Sequence, residues 1–195
     1  MKTQIFLALA TALTVCVAPR SLAADDEKKV PSASDTGKAV ELIAILRPTE
    51  GNTTAGSVRF QPLEGNKVEV VATVTGLKPG SKHGIHIHQY GDLSAEDGTS
   101  LGGHYNPLDH KHGLPSQESR HAGDFGNLEA DASGVGVLKL VVDNLSLTGQ
   151  KNPILGRGVV IHEKADDGGQ PTGNAGARIA VGVIGIRNPD NKSES

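Results

Sequence analysis

The chain has 195 residues, 25 of them glycine, with a formal charge of −3 and only 3% aromatic side chains. That leaves room for one domain and hardly for two, demands an aliphatic core, and suits tight turns between short strands better than a helical bundle. No basic run or aromatic ladder is present, which excludes nucleic acid as a partner.

Residues 1–23 read as a signal peptide: Lys2 supplies the positive start, residues 5–17 the apolar stretch, and Ser21-Leu22-Ala23 a small-x-small cleavage site. The apolar stretch is too short to anchor the mature protein in a membrane. Export to the periplasm or the extracellular space is therefore expected, with no stable membrane association. Cys16, the one cysteine, lies inside this leader. A lipoprotein acylated at Cys16 is the alternative, against which stands Val15, bulky where a small residue is wanted. A mature chain without Cys16 has no disulfide, so its core and any bound metals must supply the stability.

Residues 24–37 are rich in Asp, Glu, Lys, Ser and Pro without periodicity and predict a disordered lead-in; residues 189–195 predict a disordered tail. The domain is expected over 38–188. Within it, β-rich or alternating runs at 39–46, 57–61, 67–75, 84–88, 126–130, 136–142, 158–162 and 178–186 predict eight short strands, broken by Pro48, Pro62, Gly65, Gly76 and Pro79-Gly80. The fold class is all-β, an eight-stranded antiparallel sandwich or flattened barrel. Two stretches break the rhythm, 89–125 and 163–177. Long loops without periodicity in a compact domain are usually functional.

All eight histidines fall outside the leader and the tail. His86 and His88 are two apart on a strand, so both imidazoles share one face while Ile85 and Ile87 take the other. Alone, the pair also reads as two exposed polar positions on a half-buried strand. The loop changes that, because His104, His112, His121 and Asp124 offer three imidazoles and a carboxylate, a set suited to tetrahedral zinc. His162 ends an apolar strand and projects from its end. His83 suits a structural hydrogen bond, and His110 a solvated loop position.

Gly84-Ile-His-Ile-His-Gln-Tyr-Gly-Asp92, Gly103-His-Tyr-Asn-Pro107, Lys111-His-Gly113, Arg120-His-Ala-Gly-Asp-Phe-Gly-Asn127, Val160-Ile-His-Glu-Lys-Ala-Asp-Asp167 and Thr172-Gly-Asn-Ala-Gly-Ala-Arg178 resemble the motifs of copper–zinc superoxide dismutases, from about Lys38 to Ile186. The resemblance implies a Greek-key β-barrel and dismutation of superoxide to oxygen and hydrogen peroxide. It implies copper on His86, His88, His104 and His162, and zinc on His104, His112, His121 and Asp124, with His104 bridging the two. Asp166 matches the carboxylate that joins a copper histidine to a zinc histidine, and Arg178 the arginine beside the open copper face. Copper is the redox centre in this scheme and zinc is not.

Two departures stand out. The family's usual disulfide positions are Gly98 and Val181 here, so the bridge that steadies the arginine's loop cannot form. The loop after Asp167 is cut to Gly168-Gly-Gln-Pro171, and the charges that would steer the anion are not evident in it. The pattern of the long loop and Leu155-Gly-Arg157 points to a homodimer. A metal carrier on the same fold is the main competing reading, against which stand Asp166 and Arg178, since a carrier needs neither; an adhesive sandwich with vestigial histidines would not keep two complete donor sets.

Overall fold

The computed structural model describes residues 40–191. The expected signal peptide, the lead-in and the end of the tail lie outside the described residues. Eight strands form, β1 (Leu42–Pro48), β2 (Ala55–Leu63), β3 (Lys67–Thr75), β4 (Lys82–His88), β5 (Asp124–Ala130), β6 (Gly136–Val142), β7 (Gly158–His162) and β8 (Arg178–Ile186). They pair antiparallel in the order β1-β2-β3-β6-β5-β4-β7-β8, and β8 returns to β1 to close a barrel. Among the described residues no helix is long and apolar enough to cross a membrane.

Alternation decides which way each strand faces. In β3, Val68, Val70, Ala72 and Val74 point inward while the residues between them are partly or fully exposed. The inward side chains of β1, β2, β4, β5 and β8 meet them, with Phe60 and Phe125 6.4 Å apart at the centre. Ile85 and Ile87 join this core with no exposed surface. Each such isoleucine contributes about 1.5–3 kcal/mol by leaving water. A one-residue slip of β4 would forfeit both and drive two imidazoles into the barrel, so the hydrophobic pattern itself sets the histidines' direction.

The strand bounds differ from expectation at prolines. β2 continues through Pro62, which pairs with Val68 of β3. Its other neighbour, β1, reaches only as far as Phe60, so the missing N–H of Pro62 falls where no ladder partner exists. Pro48 likewise is the last residue of β1, a strand expected to stop at 46, ahead of it. Asp124, expected in the loop, is the first residue of β5 and pairs with His86.

A second, smaller apolar cluster lies outside the barrel. Leu101, Val160 and Val181 are buried together, with Leu93 packed against them. The outer sides of β7 and β8 are thus covered at Val160 and Val181, and every residue of β7 is buried.

Candidate metal centre

The barrel, the long loop and the shorter loop meet over the outer face of β4. From β4 come His86 and His88, and from the end of β7 comes His162. His104 is carried in by the long loop, where it forms an isolated antiparallel bridge with His88. These four present one nitrogen each within 4.8 Å of one another. The histidines do point out of the barrel, yet the loops cover them, and His86 has no exposed surface.

A second grouping joins His104 to His112, His121 and Asp124 under the same distance limit. Asp124 Oδ1 lies 3.0 Å from His104 Nδ1 and 3.2 Å from His121 Nδ1, and those two nitrogens are 3.4 Å apart. Asp124 Oδ2 accepts the main-chain N–H groups of Gly113 and His121 at 3.1 and 3.0 Å and lies 2.9 Å from His112 Nδ1. The tight turn from His121 into β5 is what places the carboxylate there. His104 is shared by both groupings, its two ring nitrogens turned to different sides.

The ring nitrogens divide into held and unheld atoms. His86 Nε2 faces Asp166 Oδ2 at 2.9 Å, His88 Nδ1 donates to the Gly102 carbonyl at 2.9 Å, and His162 Nδ1 donates to the Gly176 carbonyl at 3.2 Å. Their opposite nitrogens, His86 Nδ1, His88 Nε2 and His162 Nε2, are buried without a hydrogen-bond partner, and so is His104 Nε2. A buried unpaired polar atom costs about 1–3 kcal/mol. Four of them converging on one point mark a place built for a ligand outside the polypeptide.

Burial also sets the charge states. It holds His104 down to about 4, and His162, with repulsion from His86, down to about 3. His88 is lowered well below its ordinary value by burial and by His104. His112 behaves oppositely: burial alone would lower it, but its hydrogen bonds to Asp124 and Asp166 win and raise it to about 9. Burial would raise Asp124 and Asp166, but the imidazoles around them outweigh it and keep both well below the usual carboxylate range.

Asp166 joins the two groupings, with Oδ2 on His86 and Oδ1 2.9 Å from His112 Nε2. Arg178, at the start of β8, donates to the carbonyls of Gly98 and Gly102, and its charge acts on both His88 and His162. Although no disulfide is available, the loop is tied there: Gly98 abuts Val181, a Cβ on Gly98 would meet its Cγ1 at 2.8 Å, and the small apolar cluster lies beneath. His83 is buried between the Ser81 hydroxyl and the carbonyl of His162, a structural hydrogen-bond role, and His110 is exposed.

Sequence reasoning missed three parts of this arrangement. The Gly102 carbonyl binds both His88 and Arg178, the Asn127 carboxamide pairs with the main chain of Asp166, and that of Gln170 pairs with the main chain of His112. Main-chain acceptors leave no residue-type signal. The Gly-Asn that follows Asp124-Phe125 was the one hint of Asn127.

Residues 54–184 match the family model for copper/zinc superoxide dismutase. The extracellular superoxide dismutase [Cu-Zn] of Drosophila melanogaster is 39% identical over 198 residues, covering 96% of this chain and 100% of that protein. The superoxide dismutase [Cu-Zn] of Onchocerca volvulus is 43% identical over 155 residues, covering 74% and 94%. The crystal structure of the clock protein EA4 superposes with a TM-score of 0.69 at 43% identity, covering 75% of this chain and 94% of that one. The match spans most of the barrel and all the residues of both groupings, and the chain belongs to the copper/zinc superoxide dismutase family.

Proposed function

We propose that the chain converts superoxide and protons to dioxygen and hydrogen peroxide, holding copper on His86, His88, His104 and His162 and zinc on His104, His112, His121 and Asp124. The observation that carries this is the set of four unpaired ring nitrogens, each on an imidazole whose other nitrogen faces a protein acceptor. That division leaves one lone pair per ring free for a metal and fixes which one.

The donors suit these metals. Atoms about 2.0–2.1 Å from a tetrahedral zinc ion lie about 3.3–3.4 Å apart. His104 Nδ1, His121 Nδ1 and Asp124 Oδ1 are separated by 3.0–3.4 Å. The all-imidazole set suits copper, which when bound supplies the one-electron redox chemistry that zinc lacks.

The chain's own residues do the rest. His104 presents Nδ1 to one grouping and Nε2 to the other, so it bridges them and can hold a proton at Nε2 for the departing peroxide. Asp166 fixes the rings of His86 and His112 together. Arg178 is locked by two carbonyls and keeps its charge beside the first grouping, where it attracts and orients a small anion.

We place this activity outside the cytoplasm, on the leader at 1–23 and the extracellular relative. A homodimer is supported by exposed Tyr90, Leu155 and Ile186. The segments that carry them meet, since Gly91 lies against the Gly156 carbonyl and Gly156 N–H donates to the Ile184 carbonyl.

The test is metal analysis of the mature protein with a superoxide-consumption assay. About one copper and one zinc per chain are expected, with catalytic loss of superoxide. Arg178→Ala should cut the rate at least tenfold with metal content unchanged, and Arg178→Lys should recover part of it. Stoichiometric metal without superoxide consumption would favour a metal carrier.

A further inference from the structure

We propose that Gln170 is a positioning residue for the zinc site, gripping the main chain of His112 with both ends of its carboxamide. This rests on the assignment of zinc to His104, His112, His121 and Asp124. Gln170 Oε1 accepts the His112 N–H at 3.1 Å, and Gln170 Nε2 donates to the His112 carbonyl at 2.9 Å. The imidazole of the same residue is held by Asp166, 2.9 Å from Nε2. Both partners come from the shorter loop, so ring and backbone of one donor are fixed from a single neighbouring segment.

His112 needs such a hold from outside. Among the described residues, the main-chain hydrogen bonds between 106 and 119 run from Asp109 to Asn106 at 3.5 Å and from Gln117 to Leu114 at 2.9 Å. Both stay within the segment; its ties to the barrel run through the Asp124 side chain of β5, whose Oδ2 accepts the Gly113 N–H at 3.1 Å and lies 2.9 Å from His112 Nδ1. Asp166 is also fastened to β5, since Asn127 accepts its N–H at 2.7 Å and donates to its carbonyl at 2.8 Å. Beside the direct tie through Asp124, a second path runs from the barrel to Asn127, from Asn127 to Asp166 and across to the His112 ring, and Gln170 holds the His112 main chain from the same side. The loops also run close there, with room at Gly168 for no more than a Cβ before Leu114, 3.5 Å beyond. The short connection after Asp167 is what lets this occur, because it turns back at once and delivers the carboxamide beside the long loop.

The exposed position of Gln170 limits the effect, which is on metal retention rather than on folding. Losing an outer partner of a metal ligand typically costs about 10–100-fold in affinity, and less where water can replace the bonds. Zinc release from metal-loaded Gln170→Ala to a chromogenic chelator should be about three- to tenfold faster than from the parent. Copper retention and the melting temperature of the metal-free protein should be unchanged. Gln170→Glu keeps an acceptor for the His112 N–H and should recover part of the loss. With cobalt(II) in the zinc position, the visible bands should shift in Gln170→Ala. Unchanged zinc release, from a parent that holds both metals, would overturn the role of Gln170 alone. Equal loosening of copper and of the metal-free fold would also overturn it, as the mark of a general structural residue. A parent that takes up no zinc would instead overturn the metal assignment, and this proposal with it.

Discussion

The two donor groupings are made from different material. His86, His88 and His162 stand on β4 and β7, strands hydrogen-bonded on both sides within the barrel. His112 and His121 stand on the long loop, and only Asp124 in that grouping belongs to a strand. Three of the four donors of the first grouping are therefore in place whenever the barrel is formed. The second depends on a segment with little hydrogen bonding of its own. A grouping held mostly by strands and one held mostly by a loop share one residue, His104.

The largest expected effect breaks that junction. His104→Ala removes a donor from both groupings, and should weaken both metals and abolish superoxide consumption. The loss should exceed the about 10–100-fold typical of removing an outer hydrogen-bond partner. His112→Ala should release zinc and leave copper in place. Metal analysis of the two variants side by side checks this, and equal loss of both metals from His112→Ala would contradict the division of roles.

Metal removal sharpens the contrast between barrel and loop. With one cysteine in the whole chain, no intrachain disulfide can form, and a phosphine reductant should leave thermal unfolding unchanged. A strong chelator should lower the melting temperature, since a metal at a thousandfold above its dissociation constant stabilises the fold by about 4 kcal/mol. Hydrogen exchange should then rise across 106–122 while β3 and β4 stay protected, and zinc alone should restore the loop. Equal protection with and without metal would mean that the loop is ordered by its protein contacts.

The smallest effect concerns pH in the metal-free protein, where the two groupings pull in opposite directions. His104 and His162 fold with values lowered from 6.5 to about 4 and about 3, so below pH 6.5 the unfolded chain binds protons that the folded one refuses. Stability should fall as pH drops from 6.5 towards those values, by at most about 1.4 kcal/mol per pH unit for each imidazole. His112 is raised from 6.5 to about 9, so its contribution is complete below pH 6.5 and is lost as pH rises through about 9. A shallow maximum near pH 6.5 is expected in a melting series. A maximum displaced above pH 9 would show that His112 is not held by its two carboxylates.

Much of this molecule was legible before its structure, for local reasons. A period of two fixed the inward faces, and so the direction of His86 and His88, because the isoleucines between them can go only to the core. Strand positions followed from the same alternation, and the bounds erred by a few residues, as at Pro48 and Pro62, which lie beyond the β1–β2 ladder, and at Asp124, which opens β5. The donor types were visible because imidazoles and a carboxylate at those spacings carry chemistry in their side chains.

What holds the donors was decided by the tertiary structure. The Gly98, Gly102 and Gly176 carbonyls that fix Arg178, His88 and His162 are main-chain atoms, identical in every residue. The apolar packing of Leu101, Val160 and Val181, where a disulfide is absent, joins residues some 20 to 80 positions apart, beyond any local periodicity. The grips of Asn127 on Asp166 and of Gln170 on His112 use ordinary polar side chains that would read as solvated loop residues anywhere else. A sequence shows which groups can bind a metal; only closure of the barrel and the meeting of its two loops determine which nitrogen of each ring is left free to do so.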